Sequence, residues 1–276
     1  MTLTARATSL SNPPLSGNIH ADRSSSEALA VWGGNHVVTY ENTFKEIEDA
    51  KPEIAVLAIG ATEQHSTHLP IGTDYLMGGY LSRKVAEALD AYLLPVLPFS
   101  NSQEHQDFFG TVWLQPTTLR QVVMDVCRAL KHHGIRKVLV MECHGGNWIL
   151  KPTIREINLN DPEMMVILAG PGTVTAKLQG AKIELHCTTA ETALMMHVFP
   201  ELVKELPEDF QPEVGREYLD YVGMRAVAPT GVWGTPNAAT PESGRESVEK
   251  WVKPVVDYAR ETFARLEEIR RKADKK

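Results

Sequence analysis

What the chain has little of narrows the field first. It contains no run of about 18 apolar residues, the length a membrane-spanning helix needs, so no membrane partner is expected. Cysteine is sparse: Cys127, Cys143 and Cys187 are the only three. Their number is odd and their spacing fits neither a disulfide frame nor a zinc finger, which predicts reduced thiols and a cytoplasmic setting. Positive charge is in deficit, with 28 Lys and Arg against 35 Asp and Glu and a net charge of −7. Such a balance argues against a nucleic-acid partner held through phosphate contacts. A nucleophile elbow of the form G-x-S-x-G, a Gly-rich dinucleotide fingerprint and a phosphate loop are all missing. Internal repeats and low-complexity tracts are missing too.

What remains is ordinary globular material: 276 residues, 43% hydrophobic and 23% charged, enough for one sizeable core. The opening stretch is polar with scattered Pro and Ser, and lacks the charged start and apolar run of a secretory leader. It is expected to form a flexible arm over residues 1–26, free in solution or laid across a neighbouring subunit, ahead of a single catalytic domain over residues 27–276.

Apolar runs and helical periods alternate along that domain. Glu53 to Gly60, Tyr92 to Phe99, Arg136 to Cys143 and Met164 to Ala169 read as strands. Helices are expected from Asp74 through Leu89, over Thr117 to His133, from Asn147, over Glu191 to His197, and from Glu246 to Arg271. Alternation of this kind indicates an α/β layered fold with a mainly parallel sheet. The loops leaving the C-terminal strand ends then build the active site. Those after Gly60, Phe99 and Cys143 each carry histidine.

The densest of these loops holds Glu63, His65, His68 and Asp74. Carboxylate and imidazole together suit Zn, Mn or Fe. In extended backbone Glu63 and His65 point the same way, and Asp74 at a helix start has its charge favoured by the helix dipole, as a bridging ligand needs. Spacing alone leaves open a plain polar loop with Asp74 as its N-cap. The second segment, Glu142-Cys-His144-Gly-Gly-Asn147, places a histidine at a strand end, two glycines that let backbone approach a ligand, and an asparagine that can cap the next helix. Its rival reading, the oxyanion loop of an α/β-hydrolase, falls with the missing elbow. In the third, His186 and Glu191 stand five apart, which also suits a capped helix start. In the fourth, His105 beside Phe108 either lines a pocket or covers a core edge. Trp148, Trp113 and Phe108 either wall a pocket or pack in the core, and packing is the commoner use. Cys143 and Cys187 read as small buried thiols, and His132 and His133 as cations at a helix C-terminus.

Taken together, these segments resemble the creatininase family. Glu63-Gln-His65-Ser-Thr-His68-Leu-Pro70-Ile-Gly-Thr-Asp74 is similar to its E-x-H-G-x-H-L-P-x-x-T-D, with Ser66 where Gly is usual. Glu104-His105-Gln-Asp-Phe108-Phe-Gly110-Thr111, Glu142-Cys-His144-Gly-Gly-Asn147 and His186-Cys-Thr-Thr-Ala-Glu191-Thr192 follow the next motifs in order. Gly231-Val-Trp-Gly234 resembles the closing stretch. The resemblance implies a three-layer α/β/α sandwich and a hydrolase with two divalent metal ions per chain, often assembled as a homo-hexamer. Glu63, Asp74 and His144 would hold one ion, and His65, Asp74 and a further carboxylate the other. In creatininase itself that carboxylate stands two residues after the histidine. Here the position is Gly146, so the role passes to Glu191, and creatinine becomes a poor substrate candidate. By the same resemblance His186 is the acid/base histidine.

The expected reaction is hydrolysis of a small cyclic or linear amide C–N bond by a water activated between the metals. The Gly145 and Gly146 N–H groups would hold the oxyanion, and His105 and Trp148 would contact substrate. Opening of a sugar- or inositol-derived ketone ring by the same metal pair, or a silent metal-binding scaffold, are the alternatives.

Overall fold

A computed structural model describes residues 37–170 and 184–273. The expected arm over residues 1–26 lies outside them. Its elements are α1 (Phe44–Ala50), β1 (Ile54–Ile59), α2 (Thr73–Leu89), β2 (Tyr92–Leu93), α3 (Pro116–His132), β3 (Lys137–Glu142), α4 (Leu150–Asn160), β4 (Met165–Ala169), α5 (Thr189–Val198), α6 (Leu219–Val222), α7 (Met224–Val227) and α8 (Pro241–Ala273).

The four strands pair in parallel in the order β2-β1-β3-β4. Strand side chains alternate between faces. Ala55, Leu57 and Ile59 share one face with Val138, Val140 and Val166, and there they meet Leu119, Val123, Cys127 and Leu130 of α3 and Leu150, Ile154 and Ile157 of α4. The intervening Val56, Ala58, Leu139 and Met141 are also fully buried. On that side α2 packs on β1, and α8 on β4, α2 and α5. A sheet buried on both faces needs near-continuous apolar strands, which is what the four runs supply. The result is an α/β/α sandwich.

The strand order has a consequence for function. From β1 the chain crosses to β2 on one side, then returns to β3 on the other. The carboxyl ends of β1 and β3 therefore flank the switch point, where open α/β sheets form a crevice.

Several boundaries differ from the sequence expectation. The run from Tyr92 to Phe99 stays beside β1, with Leu94 and Leu97 donating to the Val56 and Ala58 carbonyls. It is a ladder only over Tyr92–Leu93, because the pairing then slips by one residue: Leu94 and Leu97, three apart, meet carbonyls that are two apart on β1. The helix expected from Asn147 begins at Leu150. Asn147 does not cap it: its Oδ1 accepts the Asn101 N–H at 3.1 Å. The last helix starts earlier, at Pro241. Asp74 is not an N-cap, since Gly72 holds that place and Asp74 sits inside the first turn of α2. Its carboxylate is thereby free for other partners. A capped start does occur at α5, where Thr188 and Glu191 form a capping box.

Close approach joins β1 to α2. A Cβ on Gly60 would lie 2.9 Å from the Asp74 carbonyl oxygen and from backbone atoms of Tyr75. Gly60→Ala is expected to push the start of α2 away from β1 and cost about 1–3 kcal/mol of stability. Urea unfolding of the variant checks this, and an unchanged midpoint would refute the contact.

Candidate metal centre

Each element delivers its side chains to the switch point for a local reason. The loop after β1 folds back on itself, with the Glu63 N–H donating to Ile71 and the Leu69 N–H to His65. Ser66 completes the bend at φ +55, donating its N–H to the Gln64 side chain at 2.8 Å. Non-glycine residues rarely hold this backbone region, and when they do the surroundings enforce it. Glu63 and His65 end up almost completely buried. Asp74 comes from the first turn of α2, His144 from the end of β3, and Glu191 from the first turn of α5.

The side chains converge. His65 Nε2 lies 3.4 Å from Asp74 Oδ1, and His144 Nδ1 lies 3.4 Å from Asp74 Oδ2. Asp74 thus stands between two histidines. His144 Nδ1 is also 3.1 Å from Glu63 Oε1. Ligand atoms of three sets lie within 4.8 Å of one another: Glu63, Asp74 and His144; His65, Asp74 and Glu191; and Glu63, His65 and His186. Glu63 Oε2, His65 Nε2 and Asp74 Oδ2 are buried without a hydrogen-bond partner. Orphaned carboxylate and imidazole atoms facing one another suit a divalent cation.

The outer nitrogens of the histidines sharpen this. His65 Nδ1 sits 3.2 Å from the Glu63 carbonyl, His144 Nε2 3.2 Å from the Asn101 carbonyl, and His186 Nε2 2.6 Å from the Gln64 carbonyl. A carbonyl only accepts, so each outer nitrogen carries a proton and each inner nitrogen faces the cluster, where it offers a lone pair to a cation whenever the imidazole is neutral. This is how proteins orient metal-binding histidines. His105 is set the other way. The Gln64 side-chain amide donates to its Nδ1 at 2.9 Å, leaving Nε2–H aimed at Glu63 Oε1, 3.7 Å away. His105 is a donor at the rim of the cluster, with its ring 4.5 Å from that of His186.

Charges follow the geometry. Burial pushes Glu63 up to about 8 and raises Glu191. Burial also acts against Asp74, but His65 and His144 hold it well below the usual carboxylate range. Burial would lower His65, yet Asp74, Glu191 and Glu63 raise it to about 9. His144 is raised in the same way by Glu63, Asp74 and Glu104. His186 and His105 are driven down by burial, His105 to about 3. Without metal, protons on His65 and His144 supply the positive charge that the converging carboxylates require.

Other residues named from the sequence fall into place around this centre. His68 is buried, but its Nε2 pairs with Thr192 Oγ1 at 3.1 Å and joins no ligand set. The Gly145 carbonyl accepts from Arg216 at 2.8 Å. Trp148 is 62% exposed, so core packing, the commoner use, does not hold for it. Phe108 does pack, against the small cluster of Met224, Ala228 and Trp233. The parts played by Gln64, Asn101 and Glu104 are not visible in the sequence. An amide or a carbonyl gripping the far side of a histidine leaves no spacing signature.

A family model described as Creatininase: Creatinine amidohydrolase matches residues 40–259. The chain is 27% identical to the mycofactocin precursor peptide peptidase of Mycobacterium ulcerans (strain Agy99) over 234 residues, 78% of this chain and 87% of that protein. It is also 27% identical to the creatinine amidohydrolase of Pseudomonas putida over 250 residues, 81% and 96% of the two. Among solved structures, a mutant creatininase of Zn-Zn type superposes with a TM-score of 0.67 at 26% identity, covering 83% of this chain and 99% of that one.

Metal uptake must displace protons, because the inner nitrogens of His65 and His144 ligate only when neutral. Zinc affinity of the chelator-stripped protein is therefore expected to rise with pH up to and beyond neutrality, through the raised values of His65, about 9, and of His144. Calorimetry in buffers of different ionisation enthalpy reads the proton release, and uptake without release would refute the assignment. Asp74→Ala should abolish metal uptake, because both proposed ion sites use Asp74.

Proposed function

The chain belongs to the creatininase family of metal-dependent amide hydrolases, and on that premise we propose that it cleaves the C–N bond of a small cyclic or linear amide at the Asp74 centre. One observation carries this: two ligand sets, Glu63–Asp74–His144 and His65–Asp74–Glu191, share a single carboxylate. We propose that each set holds one divalent ion, zinc, manganese or iron. Such ions polarise a carbonyl and make a strong nucleophile available at neutral pH.

The chain's own residues do the rest. His186 donates Nε2–H to the Gln64 carbonyl, so its Nδ1, 3.7 Å from Glu63 Oε1, is the nitrogen that exchanges protons with reacting groups. Burial keeps this imidazole neutral. When it does take a proton, it surrenders it readily, which suits delivery to a departing amine. His105 presents Nε2–H across the same space, a donor for a substrate oxygen. The Gly145 and Gly146 N–H groups are the proposed oxyanion donors, and exposed Trp148 the substrate-facing wall. Among the described residues no helix is long and apolar enough to cross a membrane. The proposed setting is the cytoplasm, and the proposed assembly a homo-hexamer.

The test is product analysis on metal-loaded enzyme with pooled lactams, formamides, cyclic ureas and carbocyclic polyhydroxy ketones. Release of an amine supports the reading; opening of a carbocyclic ketone with no C–N cleavage would overturn it. His186→Ala is expected to keep its metal and lose a factor of about 10²–10⁴ in turnover. Full activity in that variant would remove His186 from its role.

A further inference from the structure

His144 differs from the other inward-facing histidines in what holds its outer nitrogen. His65 and His186 each lean on one backbone carbonyl. His144 Nε2 faces the Asn101 carbonyl at 3.2 Å and also Glu104 Oε1 at 3.4 Å. Glu104 sits on the short 3-10 turn Gln103–His105, which is closed by its own hydrogen bond and held just beyond its end. The His105 N–H donates to Ser102, and Arg225 donates to the Asp107 carbonyl at 2.7 Å.

Gly146 explains how the carboxylate gets there. A Cβ at this position would overlap Glu104 Oε1 and His144 Nε2 and come within 2.7 Å of the Asn101 carbonyl. The space a side chain at 146 would need is taken up by the Glu104 carboxylate and the groups around it. Glycine at 146 and glutamate at 104 are thus two halves of one arrangement.

We propose that Glu104 is a positioning residue for the metal centre. It shares the His144 Nε2–H with Asn101 O and so fixes the ring with Nδ1 turned to Glu63 and Asp74. A carboxylate on the outer nitrogen of a ligating histidine orients it and raises its basicity. Glu104 belongs to none of the ligand sets, so it acts through His144 and not on the ion.

This inference rests on the metal assignment above, and its test separates the two. The parent, Glu104→Gln and Glu104→Ala proteins are compared by zinc competition against a chromogenic chelator, with thermal unfolding as the control for folding. Glu104→Gln keeps shape and removes charge, and is expected to bind zinc roughly 10–100-fold more weakly at an unchanged Tm. Glu104→Ala is expected to weaken binding at least as much. The second readout needs no metal: the ¹⁵N and ¹H signals of His144 Nε2–H in the zinc-free protein. The parent should show a low-field proton that moves upfield in Glu104→Gln. Parent-like zinc affinity and an unmoved Nε2–H signal in Glu104→Gln would overturn the proposal. If the parent itself takes up no zinc, the metal assignment falls, and the Nε2–H signal alone still decides whether Glu104 grips His144.

Discussion

Everything around the switch point answers to one electrostatic constraint: the buried carboxylates of Glu63 and Asp74 are brought together, with half-buried Glu191 beside them. An isolated buried carboxylate is several kcal/mol too costly to leave uncompensated, so such a cluster survives only with positive charge inside it. Metal-free, that charge is borrowed from protons on His65 and His144. The same nitrogens are the ones a cation would take. The cluster is therefore a place where protons and metal compete for the same lone pairs, and the fold holds it open for either.

Holding it open is a matter of which elements end where. β1 and β3 lie side by side in register, with Ile59 opposite Glu142, so the loops that follow emerge next to each other. α2 starts against Gly60 and brings Asp74 in from a third direction. α5 brings Glu191 in from a fourth, and there the carboxylate has two duties. One is the capping box, in which its Oε2 accepts the Thr188 N–H at 2.9 Å; the other is to face His65 and Asp74. Strained backbone gathers at the same point: Ser66 and Cys187, at φ +55 and +54, each adjoin a cluster histidine. Positive φ at residues with side chains persists where the surroundings over-determine it. Here the two bends set the directions of His65 and His186.

Much of this is legible in the residues themselves. Uninterrupted apolar runs of strand length suit a sheet covered on both faces, and histidines and acids just past their ends fall where α/β sheets keep their chemistry. Glu63, His65 and His144 carry ligand-type groups just past strand ends and Asp74 stands in the first turn of the next helix, whereas His186 and Glu191 stand out only through the motif they share with the creatininase family. What cannot be read depends on atoms distant in sequence. Whether Tyr92 to Phe99 is a ladder turns on its register with β1, which slips by one residue between Leu94 and Leu97, and no residue type in the run announces that slip. Asn147 reads as a cap because asparagine often is one; its amide instead bonds a backbone N–H forty-six positions away. Trp148 reads either as a pocket wall or as core, and its exposure removes the second reading. The role of Glu104 is invisible because its partner, His144, is forty positions on, just past the end of β3.

In the proposed centre, the glycine at 146, two residues after His144 where the creatininase resemblance leads one to expect a carboxylate, is less a loss than a change of supplier. A carboxylate rooted at 146 would share a loop with His144 and move with it. Glu191 instead reaches the centre from α5, and Glu104 from the turn ahead of α3. The acid groups around the centre thus come from the loop after β1, from α2, from α5 and from that turn, and each is tied down by contacts of its own. Such a centre keeps its ligand geometry only while all these elements are docked, so assembly of the site and completion of the fold become one event. The room beside Gly146 is not wasted either, because Glu104 Oε1 stands in it. Negative charge next to His144 is thereby kept, rooted in a turn that can hold the ring without following it.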